Sequence, residues 1–278
     1  MNIPVSDQLS ALAHERRLDV FRLLMRRYPD AVPAGEIAQA LGLRANTTSV
    51  YLSILRHAGL ISQTRSGTFQ LYRIRLDNVR GLFGDMLGDC CRGRPDICLP
   101  DAIAAPLAPP STDTPLRVLF LCSRNSARSI MAEALLRAAG PQYAPHSAGT
   151  VPAEAPDPDA LAELTRQGLP TEGLQSQAVS RFLGDSPPMD MVITVCDRAA
   201  NEDVIRWPGA PLHAHWGIDD PLAADPGPAR RQAMAGAFAQ LRARIEALSN
   251  LTPGLLTPAH LQAQLDDIGR LGTLAPAS

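Results

Sequence analysis

The run LRVLFLCSRNSARSIMAEALL, beginning at Leu116, constrains the fold of this chain more than any other stretch. Its first residues, up to Cys122, have the length and near-continuous apolar character of a buried strand. After the polar stretch 123–128 the spacing of SIMAEALL turns helical. A second strand-like run, DMVITVC, ends at Cys196. Strands alternating with helices predict a three-layer α/β domain with a parallel sheet. Ligands of such sheets sit beyond the carboxyl ends of the strands, where both Cys122 and Cys196 fall.

The loop between strand and helix has the chemistry of an anion site. Successive backbone N–H groups in such a loop form a nest, and the following helix N-terminus adds positive potential. Ser123, Arg124, Asn125, Ser126 and Ala127 therefore line an oxyanion site, with Asn125 holding the loop's shape. Arg128 offers a planar fork to two oxyanion oxygens. Cys122, six positions before it, is the expected nucleophile, its pKa lowered by the same field. Ser129 is placed to hydrogen-bond the thiolate.

Upstream the chain is different. Residues 1–98 carry thirteen Arg against nine acids, a net of +4, and the remainder thirteen against nineteen, a net of −6; together they give the overall −2. The segment LPDAIAAPLAPPSTDTP at 99–115 reads as a semi-extended linker. The expected division is 1–98, a linker 99–115, an α/β domain 116–248 and a helical tail 249–278 in which Leu261, Leu265 and Ile268 share one face. A second Pro-rich stretch, VPAEAPDPD from Val151, reads as a surface loop. Forty-five per cent apolar and 19 % charged residues mark a soluble protein. With no apolar run of about 18–20 residues and no secretory signal order, the expected location is cytoplasmic and no membrane partner is expected.

Within 1–98, helical spacing at Leu18, Phe21, Leu24 and Met25 is followed by a short helix, 34–41, ended by Gly42. ANTTSVYLSILRHAGL then reads as a longer helix, capped by Asn46 or Thr47, with Val50, Ile54 and Leu55 facing inward and Gly59 closing it. ISQTRSGTFQLYRIR reads as a hairpin turning at Ser66-Gly67, and 76–89 as a last helix. Short helix, turn, longer helix, hairpin and helix is the order of an α+β winged helix-turn-helix. Its second helix enters the major groove, which makes Arg44, Asn46, Thr47, Ser49 and Tyr51 candidate DNA contacts. Arg65 at the hairpin tip is a candidate for phosphate or minor-groove contact.

The five cysteines are an odd number, which argues against a disulfide framework and for metal binding or catalysis. Cys90, Cys91 and Cys98 lie in CCRGRPDIC, directly after the last helix, with Gly93 and Pro95 to fold the loop back. Three thiolates suit a soft ion. Zinc wants a fourth ligand that no nearby His supplies, whereas trivalent arsenic or antimony takes three sulfurs. A redox disulfide is the alternative for these thiols.

The stretch GEIAQALGLRANTTSVYLSILRHAGLISQTRSG resembles the ArsR/SmtB repressor family, and the cluster after the last helix resembles the inducer site of one branch of its arsenite sensors. The resemblance implies a homodimer bound to a double-stranded DNA operator and released by As(III). The second half, with HSAGT, VCDRAANE and WPGAPLHAHWGIDDP, resembles the low-molecular-weight protein tyrosine phosphatases and the arsenate reductases built on their fold. That likeness places the general acid at Asp220, with Asp219 as second choice, and makes Cys196 the second thiol of a reductase converting arsenate to arsenite. It departs from the pattern at Val204, where a third cysteine is expected. The adduct on Cys122 is then resolved by Cys196 or by an external thiol, the reductant being thioredoxin, glutaredoxin with glutathione, or mycothiol, with no bound cofactor. The alternatives are a tyrosine phosphatase tethered to a DNA-binding domain, and a sensor whose second domain binds oxyanions without catalysis. His213 and His215 are expected in a loop and not as zinc ligands.

Overall fold

The computed structural model describes residues 3–90, 114–202, 205, 207–251 and 257–272. They form two compact units, one ending at Cys90 and one starting at Thr114. Cys91, Cys98, Val204, most of the 99–115 segment and the chain's last residues lie outside them.

The first unit runs α1 (Val5–Leu12), α2 (Glu15–Arg26), β1 (Val32–Pro33), α3 (Ala34–Ala40), α4 (Ala45–His57), β2 (Ile61–Ser66), β3 (Phe69–Ile74) and α5 (Leu76–Asp85). The strands form an antiparallel sheet in the order β1-β3-β2. Leu23, Leu24, Ile37, Leu52, Leu55 and Leu60 are wholly buried at its centre. This is the expected helix-turn-helix followed by a hairpin wing.

Several details differ from the sequence expectation. Helix α4 starts at Ala45, with Arg44 at the N-cap and no side-chain capping bond, so neither Asn46 nor Thr47 caps it. Its buried stripe is Thr48, Leu52 and Leu55, spaced by four and three. Val50 lies about 200° from Leu52 at 3.6 residues per turn and is 56 % exposed. Thr48 tolerates burial because its hydroxyl bonds the Arg44 carbonyl at 3.1 Å. The helix closes in a Schellman motif. Leu60 N–H bonds Leu55 O at 3.1 Å, Gly59 N–H bonds Arg56 O at 2.9 Å, and Gly59 takes φ 69°. Ser66 pairs with Phe69, so the wing turns at Gly67-Thr68 rather than Ser66-Gly67, with Gly67 at φ 57°. The last helix stops being α-helical at Asp85 and continues as a π-helical turn, Met86–Cys90. Gly84 and Gly88, weak helix formers, flank that change.

The second unit runs β4 (Leu116–Cys122), α6 (Arg128–Ala139), β5 (Tyr143–Gly149), α7 (Pro158–Arg166), β6 (Met191–Thr194), α8 (Asp197–Glu202), β7 (Leu212–His215), α9 (Pro228–Ser249) and α10 (Pro258–Gly269). Its four strands are all parallel, in the order β5-β4-β6-β7, flanked by helices. Central β4 is covered on both faces, which is why LRVLFLC is a run and not an alternation. Trp216, Phe120, Leu119 and Leu121 are wholly buried in this core, and Leu261, Leu265 and Ile268 of α10 join it.

His213 and His215 stand on β7, not in a loop. The register with β6 draws them into the sheet. Gln262 of α10 accepts from His213 N–H at 3.3 Å and donates to His213 O at 2.6 Å. Its amide thus stands in for a neighbouring strand at an outer edge that would otherwise be open to pairing. Among the described residues no helix is long and apolar enough to cross a membrane.

Candidate active site

β4 delivers Cys122 to the carboxyl edge of the sheet, level with Gly149 on β5. On the other side Leu121 is level with Thr194, and Val195 N–H bonds Leu121 O at 2.9 Å. Cys196 therefore lies two residues after the end of β6, one position beyond Cys122's level, where adjacent strands lie about 4.8 Å apart. Both sulfurs belong to buried residues, 3 % and 2 % exposed. Both border one cavity of about 310 Å³, shared with Ser123, Arg124, Ser126, Ala127, Arg128, Asp219 and Asp220.

The loop's carbonyls all point away from that cavity. Cys122 O, Ser123 O and Arg124 O accept from the N–H groups of Thr150, Val151 and Ala153 at 3.1, 2.8 and 2.7 Å. Asn125 O accepts from Ser176 Oγ at 2.7 Å, Ser126 O from Asp157 N–H at 2.8 Å, and Ala127 O from Met131 N–H at 2.8 Å. A trans peptide's N–H points opposite to its C=O. The N–H groups of 123–128 are thereby turned inward, the arrangement an oxyanion needs. The Pro-rich stretch from Val151, expected only as a surface loop, supplies half of this buttress.

Asn125 has φ 47°, a left-handed conformation unusual outside glycine. Its side chain is fully committed. Nδ2 donates to Ser129 Oγ at 2.9 Å and Ser147 Oγ at 2.8 Å, and Oδ1 accepts from Gln177 N–H at 2.7 Å. Ser147 in turn donates to Glu133 Oε2 at 2.6 Å. This chain has a polarity. The Glu133 carboxylate accepts Ser147's proton, so Ser147 accepts from Asn125. Ser129 also accepts from Asn125, which leaves its own proton for Cys122 Sγ at 3.0 Å. Glu133 and Ser147 were not singled out from the sequence. A serine inside HSAGT and a Glu inside a helical run give no local sign of each other.

The Asn125 N–H also donates to Cys122 Sγ, at 3.0 Å. The sequence led to an expected lowering of the Cys122 pKa, but the folded loop reverses the direction. Burial of the sulfur and the nearby Cys196 push it up, against the pull of Ser129, the Asn125 N–H and Arg128. Desolvation of a thiolate outweighs three favourable contacts here. Replacing Ser129 by alanine should raise it further, because the thiolate loses a hydrogen-bond donor. Alkylation of Cys122 by iodoacetamide, followed against pH, measures this: the curve should move to higher pH, and an unmoved curve refutes the role given to Ser129.

Arg128 donates from Nη1 to Ile218 O at 2.8 Å and pairs through Nη2 with Asp220 Oδ2 at 3.2 Å. Asp220 also accepts from Leu222 N–H at 3.2 Å and is half exposed at the cavity's rim, which Asp219 shares. Cys196 Sγ lies 3.5 Å from Ser123 Oγ and 3.4 Å from the Ala199 N–H. His215, one strand over, bonds Thr194 Oγ1 through Nδ1 at 2.8 Å. Thus Cys122, Arg128, Cys196 and Asp220 meet at one cavity.

A profile of the low molecular weight phosphotyrosine protein phosphatases matches residues 117–264, more than half of the chain. The chain belongs to the low molecular weight phosphotyrosine protein phosphatase family. A helix-turn-helix profile matches residues 12–64, so this phosphatase-family domain is fused to an ArsR-like DNA-binding domain. An arsenate reductase of Bacillus subtilis is 32% identical over 111 residues, covering 38% of this chain and 75% of that protein. An HTH-type transcriptional regulator of Mycobacterium tuberculosis is 42% identical over 73 residues, 26% of this chain; the match spans 31% of the regulator's length. Among solved structures, an arsenate reductase from Archaeoglobus fulgidus is 28% identical, with a TM-score of 0.37 and coverage of 46% of this chain and 98% of that one.

In the DNA-binding domain, Arg44, Asn46 and Ser49 are exposed near the start of α4, and Thr47 and Tyr51 are half buried. The Tyr51 ring packs 5.2 Å from His14. Arg65 is exposed on the wing, its Nε bonding Gly67 O at 3.0 Å. Cys90 is exposed at the end of the π-helical turn.

Proposed function

We propose that the chain is a thiol-dependent arsenate reductase joined to an arsenite-released repressor. The observation that carries the enzymatic half is Cys196 bordering the same cavity as Cys122, at the same edge of the sheet. A phosphatase needs one sulfur and water; a second thiol lining the same cavity is what a reductase needs. The Bacillus subtilis relative carries that activity in its name.

In the proposed reaction the Cys122 thiolate attacks arsenic(V) of arsenate held by the loop N–H groups and the Arg128 fork. Asp220 protonates the departing oxygen, which leaves as water. The Cys196 thiolate then attacks Cys122 Sγ. The S–S bond forms, the S–As bond breaks, and its electron pair reduces arsenic(V) to arsenic(III), released as arsenite. An external thiol reduces the disulfide. On the regulatory side, Cys90, Cys91 and Cys98 bind the arsenite formed, and ligation beside the last helix of a dimer favours a conformation with lower operator affinity. Arg44, Asn46, Thr47, Ser49, Tyr51 and Arg65 contact the operator.

One experiment tests the whole: the reduced protein, bound to DNA from its own promoter, receives one equivalent of arsenate without added reductant. Arsenite, a Cys122–Cys196 disulfide by peptide mass spectrometry, and loss of DNA binding are expected together. Free thiols at both positions and no arsenite would rule out the self-contained mechanism. Arsenite without DNA release would leave the enzyme and refute the sensor.

A further inference from the structure

The residues just before Asp220 are held one after another from different directions. Ile218 O accepts from Arg128. Gly217 O accepts from Arg244 Nη1 at 3.2 Å. The Trp216 indole N–H donates to Leu265 O at 3.2 Å. Arg244, on α9, has no exposed surface, and its Nε and Nη2 both donate to Leu271 O, at 3.2 and 3.0 Å. Leu265 is on α10 and Leu271 just follows it. Two of these three holds therefore run to the C-terminal segment, outside the cavity.

The hold from Arg128 comes from a group that also faces the substrate. A fork engaged bidentately with an oxyanion commits two of its five N–H donors to it, in competition with the Ile218 carbonyl and the Asp220 carboxylate it bonds in this structure. The hold from Arg244 does not depend on what fills the cavity. A guanidinium wholly inside a protein is kept at a desolvation cost, and here its planar fork joins main-chain carbonyls of two separate segments in one fixed geometry. We propose that Arg244 is a positioning residue for Asp220, using the C-terminal segment as its anchor to keep the acid loop in reach of the departing oxygen while Arg128 turns to the substrate. The proposal rests on Asp220 being the general acid.

Leaving-group dependence tests it, because an acid matters only where the departing oxygen needs a proton. Phenyl phosphate and 2,4-dinitrophenyl phosphate probe this displacement without involving Cys196. Single-turnover phenol release should fall about 10–100-fold for phenyl phosphate in Arg244→Met, less than the roughly 10²–10⁴-fold of a whole general acid because the acid is misplaced and not removed. The dinitrophenyl ester should be little changed, and Asp220→Asn should show the same selectivity. An equal fall on both esters, or none, overturns the proposal. Asp220→Asn without selectivity removes the acid assignment beneath it, and a wild type that cleaves neither ester does so too. Arsenite formation is measured separately and stands or falls independently of the ester results. If thermal melting shows Arg244→Met unfolded, Arg244→Lys decides. It should show the same selectivity to a smaller degree, and an unchanged ester ratio in it also overturns the proposal.

Discussion

Replacing Cys196 by serine should cut arsenite release in a single turnover by at least about 10³-fold, well inside the roughly 10⁵–10⁸ M effective molarity of a well-oriented intramolecular nucleophile. Arsenate binding should survive, because the groups that face the oxyanion come from residues 122–128. Serine is close in size, and the hydrogen bonds of the Cys196 sulfur among the described residues are the long ones to Ser123 Oγ and the Ala199 N–H, so the fold should tolerate it. Aryl phosphate cleavage, which needs Cys122 but not Cys196, should remain. Quenched-flow measurement of arsenite with parallel phenol release checks both halves. Retained reduction in Cys196→Ser would mean that an external thiol attacks the adduct directly. Loss of both activities would mean that serine damages the site.

Replacing Gly149 by alanine should cost about 10²-fold in the displacement step, although Gly149 touches no substrate. A Cβ built there meets Ser123 O at 2.8 Å, Arg124 C at 3.1 Å and Asn125 Cβ at 3.1 Å. The first two are backbone atoms of the anion loop and the third sits on its left-handed residue, so no flexible side-chain end gives way. The loop must move, and with it the Cys122 sulfur and the inward N–H groups. Overpacking of this kind also destabilises by about 1–3 kcal/mol. Phenol release and thermal melting of the variant measure the two effects. Wild-type rates with a lowered melting point would show that the loop absorbs the methyl without moving the sulfur.

The strand, loop and helix around Cys122 were legible because each is a local pattern: apolar run, polar turn, helical spacing. The same holds for the winged helix, where the Gly59 closure is a property of adjacent residues. Errors arose where phase or pairing decides. Val50 is apolar, yet the stripe through Thr48, Leu52 and Leu55 leaves it outside. His213 follows turn-like residues, yet β6 and Gln262 hold it in the sheet. The Cys122 pKa was misjudged because a sequence shows the charges beside a sulfur but not how completely water is excluded from it.

By itself, then, the amino-acid order determined two domain types, a strand-loop-helix step running from Cys122 to Arg128, and a second cysteine at the same sheet edge, since each follows from residues a few positions apart. Only the tertiary structure decided that Val151, Ala153 and Asp157 turn the loop's N–H groups inward, that Glu133 orients the Ser129 proton through Ser147 and Asn125, and that Arg244 grips the segment before Asp220. The physical reason is common to all three. A hydrogen bond between distant segments is set by where packing brings their backbones, and a sequence carries no sign of it until the chain has folded.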